Sequence, residues 1–222
     1  MEKDRTLRII SVIALAVAIL GVTVGFAAWS ATLQIISVTT NITSGQDDAA
    51  FKNLITIGNV TCEASGSATA SSTGYGSVSQ DGFTWSGASV GLTKKGDSVT
   101  CEGTVSNQSS YVAYFDSITI GNGTNNKITC SLAQGATGGQ GLTEACNSLR
   151  ITAWANDNET SAATVMGDTV TNRTVTGIAS TSIASKGTGK ISFKVEYVGD
   201  GIADANFVAT LPTITFGISS VD

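Results

Sequence analysis

The chain contains no histidine. That removes Ser-His-Asp and Cys-His nucleophilic mechanisms, zinc sites of the histidine type and imidazole acid-base chemistry. Among the residues that could still do chemistry are four cysteines, a serine beside a lysine, and scattered carboxylates. Cys62, Cys101, Cys130 and Cys146 lack the paired C-x2-C spacing of a thiolate metal site. An even cysteine count in an exported domain reads instead as two disulfides. The favoured pairing is Cys62 with Cys101 and Cys130 with Cys146, the latter closing a short Gly-rich loop. No Ser-x-x-Lys motif occurs, and neighbours Ser185 and Lys186 would point to opposite faces of a strand, so a turn suits them better. Asp47-Asp48 and the Asp157, Glu159 pair lie in Gly/Asn/Ser-rich stretches where Asp serves turns. The segment GDGIADAN offers Asp200, Asp204 and Asn206 as hard oxygen ligands, without the ligand order of an EF-hand. We therefore expect no catalytic residues, no metal, no cofactor and no small-molecule substrate. Six Asn-x-Ser/Thr triplets begin at Asn41, Asn59, Asn107, Asn122, Asn158 and Asn172; ordinary turn-then-strand chemistry accounts for such triplets unless the host glycosylates them.

Composition sets the frame for these residues. The chain has 222 residues, of which 41% are hydrophobic and 13% charged, with 25 Gly and a single proline, Pro212. That is enough apolar material for one sizeable core. A net charge of −5 argues against nucleic acid, whose phosphates are bound by clustered Lys and Arg. Lys3, Arg5 and Arg8 precede Ile9–Trp29, 21 residues without a charge. A basic flank, an apolar run and small residues around Ala28-Trp29-Ser30 make residues 1–30 a signal peptide cleaved near position 30. Kept as a helix, the run would rise about 31 Å, enough for a membrane anchor. In both cases residues from Ala31 onward are exported and the chain meets the membrane through its N-terminal helix, at least before cleavage. Cleavage removes three positive and two negative charges (Lys3, Arg5, Arg8; Glu2, Asp4), taking the net charge from −5 to −6.

Beyond residue 43 the sequence alternates with period two between clusters of Gly, Asn, Asp and Ser. In KGDSVTCEGTVSN, Val99, Cys101 and Val105 fall on one face and Ser98, Thr100, Glu102 and Thr104 on the other. The run KISFKVEYV repeats the pattern with Ile191, Phe193, Val195 and Tyr197, and TITFGIS with Ile214, Phe216 and Ile218. Further strands are expected at Leu54–Cys62, Tyr111–Ile120, Lys127–Leu132, Leu149–Trp154, Thr164–Thr171 and Phe207–Thr210. So many short strands predict an all-β domain over 44–222, a two-sheet β-sandwich of jelly-roll or immunoglobulin-like type. Pro212 falls between strands, where a missing amide donor costs least. The Ser/Gly/Ala/Thr-rich stretch Glu63–Ser89 reads as a long surface excursion, with Phe83 and Trp85 alternating into the core at its end. Residues 31–43 form an apolar, β-rich segment with Leu33, Ile35, Ile36, Val38 and Ile42. It adds either to its own sheet or to that of a neighbouring copy.

Three stretches, GFAAWSATLQI, LTKKGDSVTCEGTVSNQSSYVAYFDSITI and ASKGTGKISFKVEY, resemble the TasA/camelysin family of exported surface and biofilm-matrix proteins, which has archaeal relatives forming bundling pili. The resemblance implies a jelly-roll-like subunit that builds a homopolymeric fibre by passing its N-terminal strand to the next molecule, a role that falls here on Ala31–Thr43. The four cysteines and the long apolar run depart from the family pattern. The expectation is thus a non-enzymatic fibre subunit of the cell surface or matrix. Its alternatives are a membrane-anchored adhesion or ligand-binding module using the Glu63–Ser89 stretch, Trp85 and Trp154, or a pilin-like subunit with a helical core.

Overall fold

A computed structural model describes residues 33–37, 40–44, 54–80, 82–121, 127–167, 173–176, 181–200, 203 and 206–220. Among them the chain forms fifteen strands, one short α-helix and a single 3-10 turn at Glu159–Ser161. The first seven strands are β1 (Leu33–Ser37), β2 (Thr40–Ser44), β3 (Ile55–Ser65), β4 (Thr69–Val78), β5 (Thr84–Leu92), β6 (Ser98–Asn107) and β7 (Ala113–Ile120). Next come β8 (Thr129–Leu132), helix α1 (Leu142–Asn147), β9 (Leu149–Ala155) and β10 (Ala163–Met166). The chain ends with β11 (Arg173–Thr176), β12 (Ser182–Ile183), β13 (Thr188–Tyr197), β14 (Phe207–Thr210) and β15 (Ile214–Ser220).

These strands build two sheets. Five run in the order β10-β9-β13-β6-β3; the other ten make a sheet with β7, β15, β2, β5, β1 and β14 along its middle. Alternation explains the long strands: β6 buries every second residue, with Val99, Cys101 and Val105 at 0% exposure, while Thr100, Glu102 and Thr104 are only half-covered. Ile191, Phe193, Val195 and Tyr197 do the same on β13, and Ile214, Phe216 and Ile218 on β15. The inner faces share one core, joined across the sheets by Trp85 of β5 and Phe193 of β13, whose rings lie 5.2 Å apart. The protein is a β-sandwich.

Two expectations need correction. Glu63–Ser89 is no surface excursion: β4 pairs with β5 as a hairpin and continues the larger sheet. Its small residues permit close approach; a Cβ on Gly76, which sits at φ 80, would come within 2.3 Å of the Ser86 carbonyl oxygen. The expected strand Thr164–Thr171 is shorter, β10 ending at Met166, and residues 168–172 lie outside the described ones. Helix α1 was not foreseen; it carries Cys146.

The disulfides are Cys62–Cys101 and Cys130–Cys146. The first joins directly opposed residues of β3 and β6. The second ties the outermost strand β8 to α1 across 16 residues, a closure contributing about 3 kcal/mol in the chain-entropy model.

Two buried polar side chains fasten the ends of β6. At its start Asp97, wholly buried, accepts hydrogen bonds from the backbone N–H groups of Ser67, Thr93 and Lys94 and from the Thr93 hydroxyl. At its end Asn107, also wholly buried, donates to the carbonyls of Tyr111, Ile183 and Ala184. Burial alone would push the Asp97 carboxyl up, but the four donors hold it below its ordinary value. Glu196 is likewise lowered: burial opposes, while Arg150, 2.6 Å away, and Lys194 outweigh it. A carboxyl lowered on folding stabilises above its unfolded pKa of about 4 and loses that contribution as pH falls through its folded value. With no histidine to titrate, the melting temperature should stay level between about pH 5 and 8 and drop below about pH 4. In Asp97→Asn the protein should melt lower at pH 7 and the acid drop should shrink; thermal melts across pH check both.

Candidate functional site

The residues singled out for assembly lie on β1 and β2, and the structure gives them an unusual place. Leu33 stands level with Leu92 of β5, Ile35 with Val90, Thr40 with Trp85 and Asn41 with Thr84. The steps match, eight residues from 33 to 41 and eight from 92 to 84, so β1 and β2 follow β5 in one antiparallel register. On its other side the segment runs parallel to the last two strands: Leu33 beside Phe207, Ile35 beside Ala209, Thr40 beside Ile214 and Ile42 beside Phe216. The register slips once, around Ser37, where Thr210 is followed by Leu211-Pro212-Thr213. Pro212 has no N–H to give a ladder, so the break falls where the sequence cannot pair. Ile36 lies within β1; Val38 falls outside the described residues, as do residues 1–30 with their expected helix. Among the described residues no helix is long and apolar enough to cross a membrane.

The first strand among the described residues is therefore an interior strand of its own sheet. Its register partners Leu92, Val90, Trp85, Phe207, Ala209 and Phe216 are all buried. Lifting out Leu33–Ser44 would split the larger sheet, leaving β5 with one unpaired edge and β14–β15 with another. Between them would lie a groove matched to one strand in both hydrogen bonds and apolar floor.

The strand leaves this groove at one pole of the sandwich. Ser44 is level with Ile218, and Ile218 with Phe115, two residues beyond the start of β7. Leu54, at the start of β3, lies at the same pole, its carbonyl accepting from Gln108 N–H at 2.7 Å. Exposed large apolar side chains among the described residues are Leu54, Tyr111, Val112 and Met166. Three of the four gather here. The pole is held firm from beneath by Asn107 and by Ser185, whose hydroxyl donates to the Ser109 carbonyl, while Lys186 donates to the carbonyl of Gln108. The Ser185-Lys186 pair thus sits in a turn, with Lys186 at φ 60, and joins two loops.

Other candidates are not brought together. Asp200 pairs with Lys95 at 2.9 Å, exposed, and Asp204 lies outside the described residues. Among the described residues no three acidic or cysteine side chains converge to hold a metal. Trp85 and Trp154, offered by the sequence as ligand contacts, are 1% and 5% exposed and so are closed to a ligand. The Trp85 indole donates inward, to the Tyr75 carbonyl at 2.7 Å.

No known protein family and no curated protein matches the chain. Solved structures give only distant likenesses. TmCBM61, solved with beta-1,4-galactotriose, is 12% identical, with 69% of this chain and 85% of that one covered at a TM-score of 0.25. A two-domain esterase active on acetylated mannans is 12% identical, with 74% and 34% covered and a TM-score of 0.26. An uncharacterized β-sandwich protein of Clostridium difficile 630 is 12% identical, with 71% and 83% covered and a TM-score of 0.19.

Proposed function

We propose that the chain is an exported structural subunit of a cell-surface or matrix fibre, in which Leu33–Ser44 leaves its own sheet and completes that of a neighbouring copy. The observation that carries this reading is the position of that strand. It comes first among the described residues, yet its pairing joins the two parts of a sheet. Strand addition of this kind takes affinity from the backbone ladder and specificity from alternate side chains, and a head-to-tail contact that does not close makes a thread.

The connection permits the exchange. Residues 45–53 join Ser44 to Leu54, ten steps along the chain, and can reach about 33 Å when extended. Crossing between sheets of one sandwich requires only about 10 Å. Leu54, Tyr111 and Val112 at the exit pole supply apolar surface where a neighbouring copy would meet it. Two disulfides suit an oxidising exterior, and the resemblance to fibre-forming surface proteins points the same way. The sandwich on this reading is jelly-roll-like.

Negative-stain electron microscopy of protein beginning at Ala31, concentrated under oxidising conditions, should show regular fibres. Protein lacking residues 31–43 should show none while still accepting a synthetic peptide of that sequence. Unchanged fibres from the deletion would overturn strand donation.

A further inference from the structure

The Asn-x-Ser/Thr triplets of the sequence are not equivalent once folded. Asn107 has its amide donating to three carbonyls and its side-chain oxygen accepting from the Ser109 N–H and hydroxyl, at 3.0 and 2.6 Å. It is wholly buried. Nothing outside can reach it. Asn158 is built into a turn: its oxygen accepts from the Thr160 hydroxyl at 2.6 Å and its amide donates to Ser161 Oγ at 3.4 Å.

Asn59 is different in each respect. It lies on β3, the terminal strand of the five-stranded sheet. Gly58 is level with Thr104 and Thr61 with Glu102, so Asn59 and Val60 stand against Gly103 alone, a bulge. Asn59 takes φ 48 there, a left-handed conformation that asparagine tolerates. The bulge pushes the chain outward, and both Asn59 and Thr61 are exposed. Among the described residues no hydrogen bond engages either side chain.

We infer that Asn59 is an acceptor of an N-linked saccharide in the exported protein and that Asn107 is not. The donor class is a saccharide activated on an isoprenoid pyrophosphate at the outer face of the membrane. The Asn59 amide nitrogen forms a bond to the anomeric carbon, the bond from that carbon to the phosphate oxygen breaks, the lipid pyrophosphate leaves with the electron pair, and the amide gives up one proton. The exposed Thr61 hydroxyl completes the triplet a transferase reads. A bulky hydrophilic group at this point adds to the bulge as a barrier against edge-to-edge pairing of β3. This holds whether or not the chain forms fibres.

The test is peptide mass spectrometry of the full protein isolated from its native cell surface. The peptide containing Asn59 should carry added saccharide mass and that containing Asn107 none. Thr61→Val, which preserves the amide and the branched strand residue, should lose the added mass completely; Thr61→Ser should retain it, and circular dichroism should show both folded. Bare Asn59 in the wild-type protein, mass persisting in Thr61→Val, or a saccharide on Asn107 would overturn the inference.

Discussion

A copy carrying Ile35→Cys, refolded and assembled together with a copy carrying Val90→Cys, will give a covalent heterodimer under mild oxidation. The two positions are level in the antiparallel ladder between β1 and β5. Opposed residues in such a ladder have Cα atoms roughly 4.5–5.5 Å apart, within the range a disulfide accepts. All four native cysteines are already bridged, so the introduced thiols are the free ones. In a fibre assembled from equal amounts of the two copies, about half of the chains should run as dimer on a non-reducing gel, collapsing to monomer on reduction, because the neighbour each chain could bridge to carries the matching cysteine half of the time. The companion variant carrying both substitutions in one chain, oxidised before assembly, should form an intrachain bond that fixes the strand at home and stops fibre growth. Fibres in which the mixed copies never cross-link would mean that the strand stays in its own sheet, and strand donation would have to be abandoned.

Replacing Trp85 with alanine should cost about 3–5 kcal/mol, the usual range for deleting a large buried aromatic. Trp85 is 1% exposed, lies 5.2 Å from Phe193 on the opposite sheet, and donates to the Tyr75 carbonyl of its own hairpin. It is also level with Thr40 of β2 and with Val78 of β4. One side chain therefore fastens sheet to sheet and lies under the strand groove. A fall in melting temperature on the order of 10 °C is expected for a domain of this size, with Trp85→Phe losing less because a ring still fills the space. A change of only a degree or two in the alanine variant would show that the two sheets do not depend on this contact.

Where alternation was strong, the sequence announced the strands. Val99, Cys101 and Val105, the Ile191-to-Tyr197 run and Ile214, Phe216 and Ile218 all proved buried, because a half-buried strand forces period two on its residues. The disulfides were legible from the even cysteine count and, for Cys130–Cys146, from the short Gly-rich loop between the two residues. The β4–β5 hairpin was not, because Ser, Gly, Ala and Thr dominate it and its close backbone approach at Gly76 leaves no apolar pattern. Helix α1, six residues long, is too short to show a period of 3.6. For the candidate site, the apolar character of residues 31–43 marked the segment, but its neighbours β5, β14 and β15 are far away in sequence, and nothing local reveals that the first strand lies parallel to the last two. The buried hubs Asp97 and Asn107 carried weak signals only, a Lys-Gly-Asp turn and an Asn at a strand end.

The placement of the first strand also has a mechanical side. A pull on the connection beyond Ser44 acts along the axis of β1–β2, while the hydrogen bonds to β5 and to β14–β15 lie across that axis. Tension is then carried in shear by two ladders together, and the bonds share the load instead of peeling in turn. A sideways force meets no such sharing and opens the groove from its end. The molecule is in this sense a fastener, strong against stretching and releasable by bending.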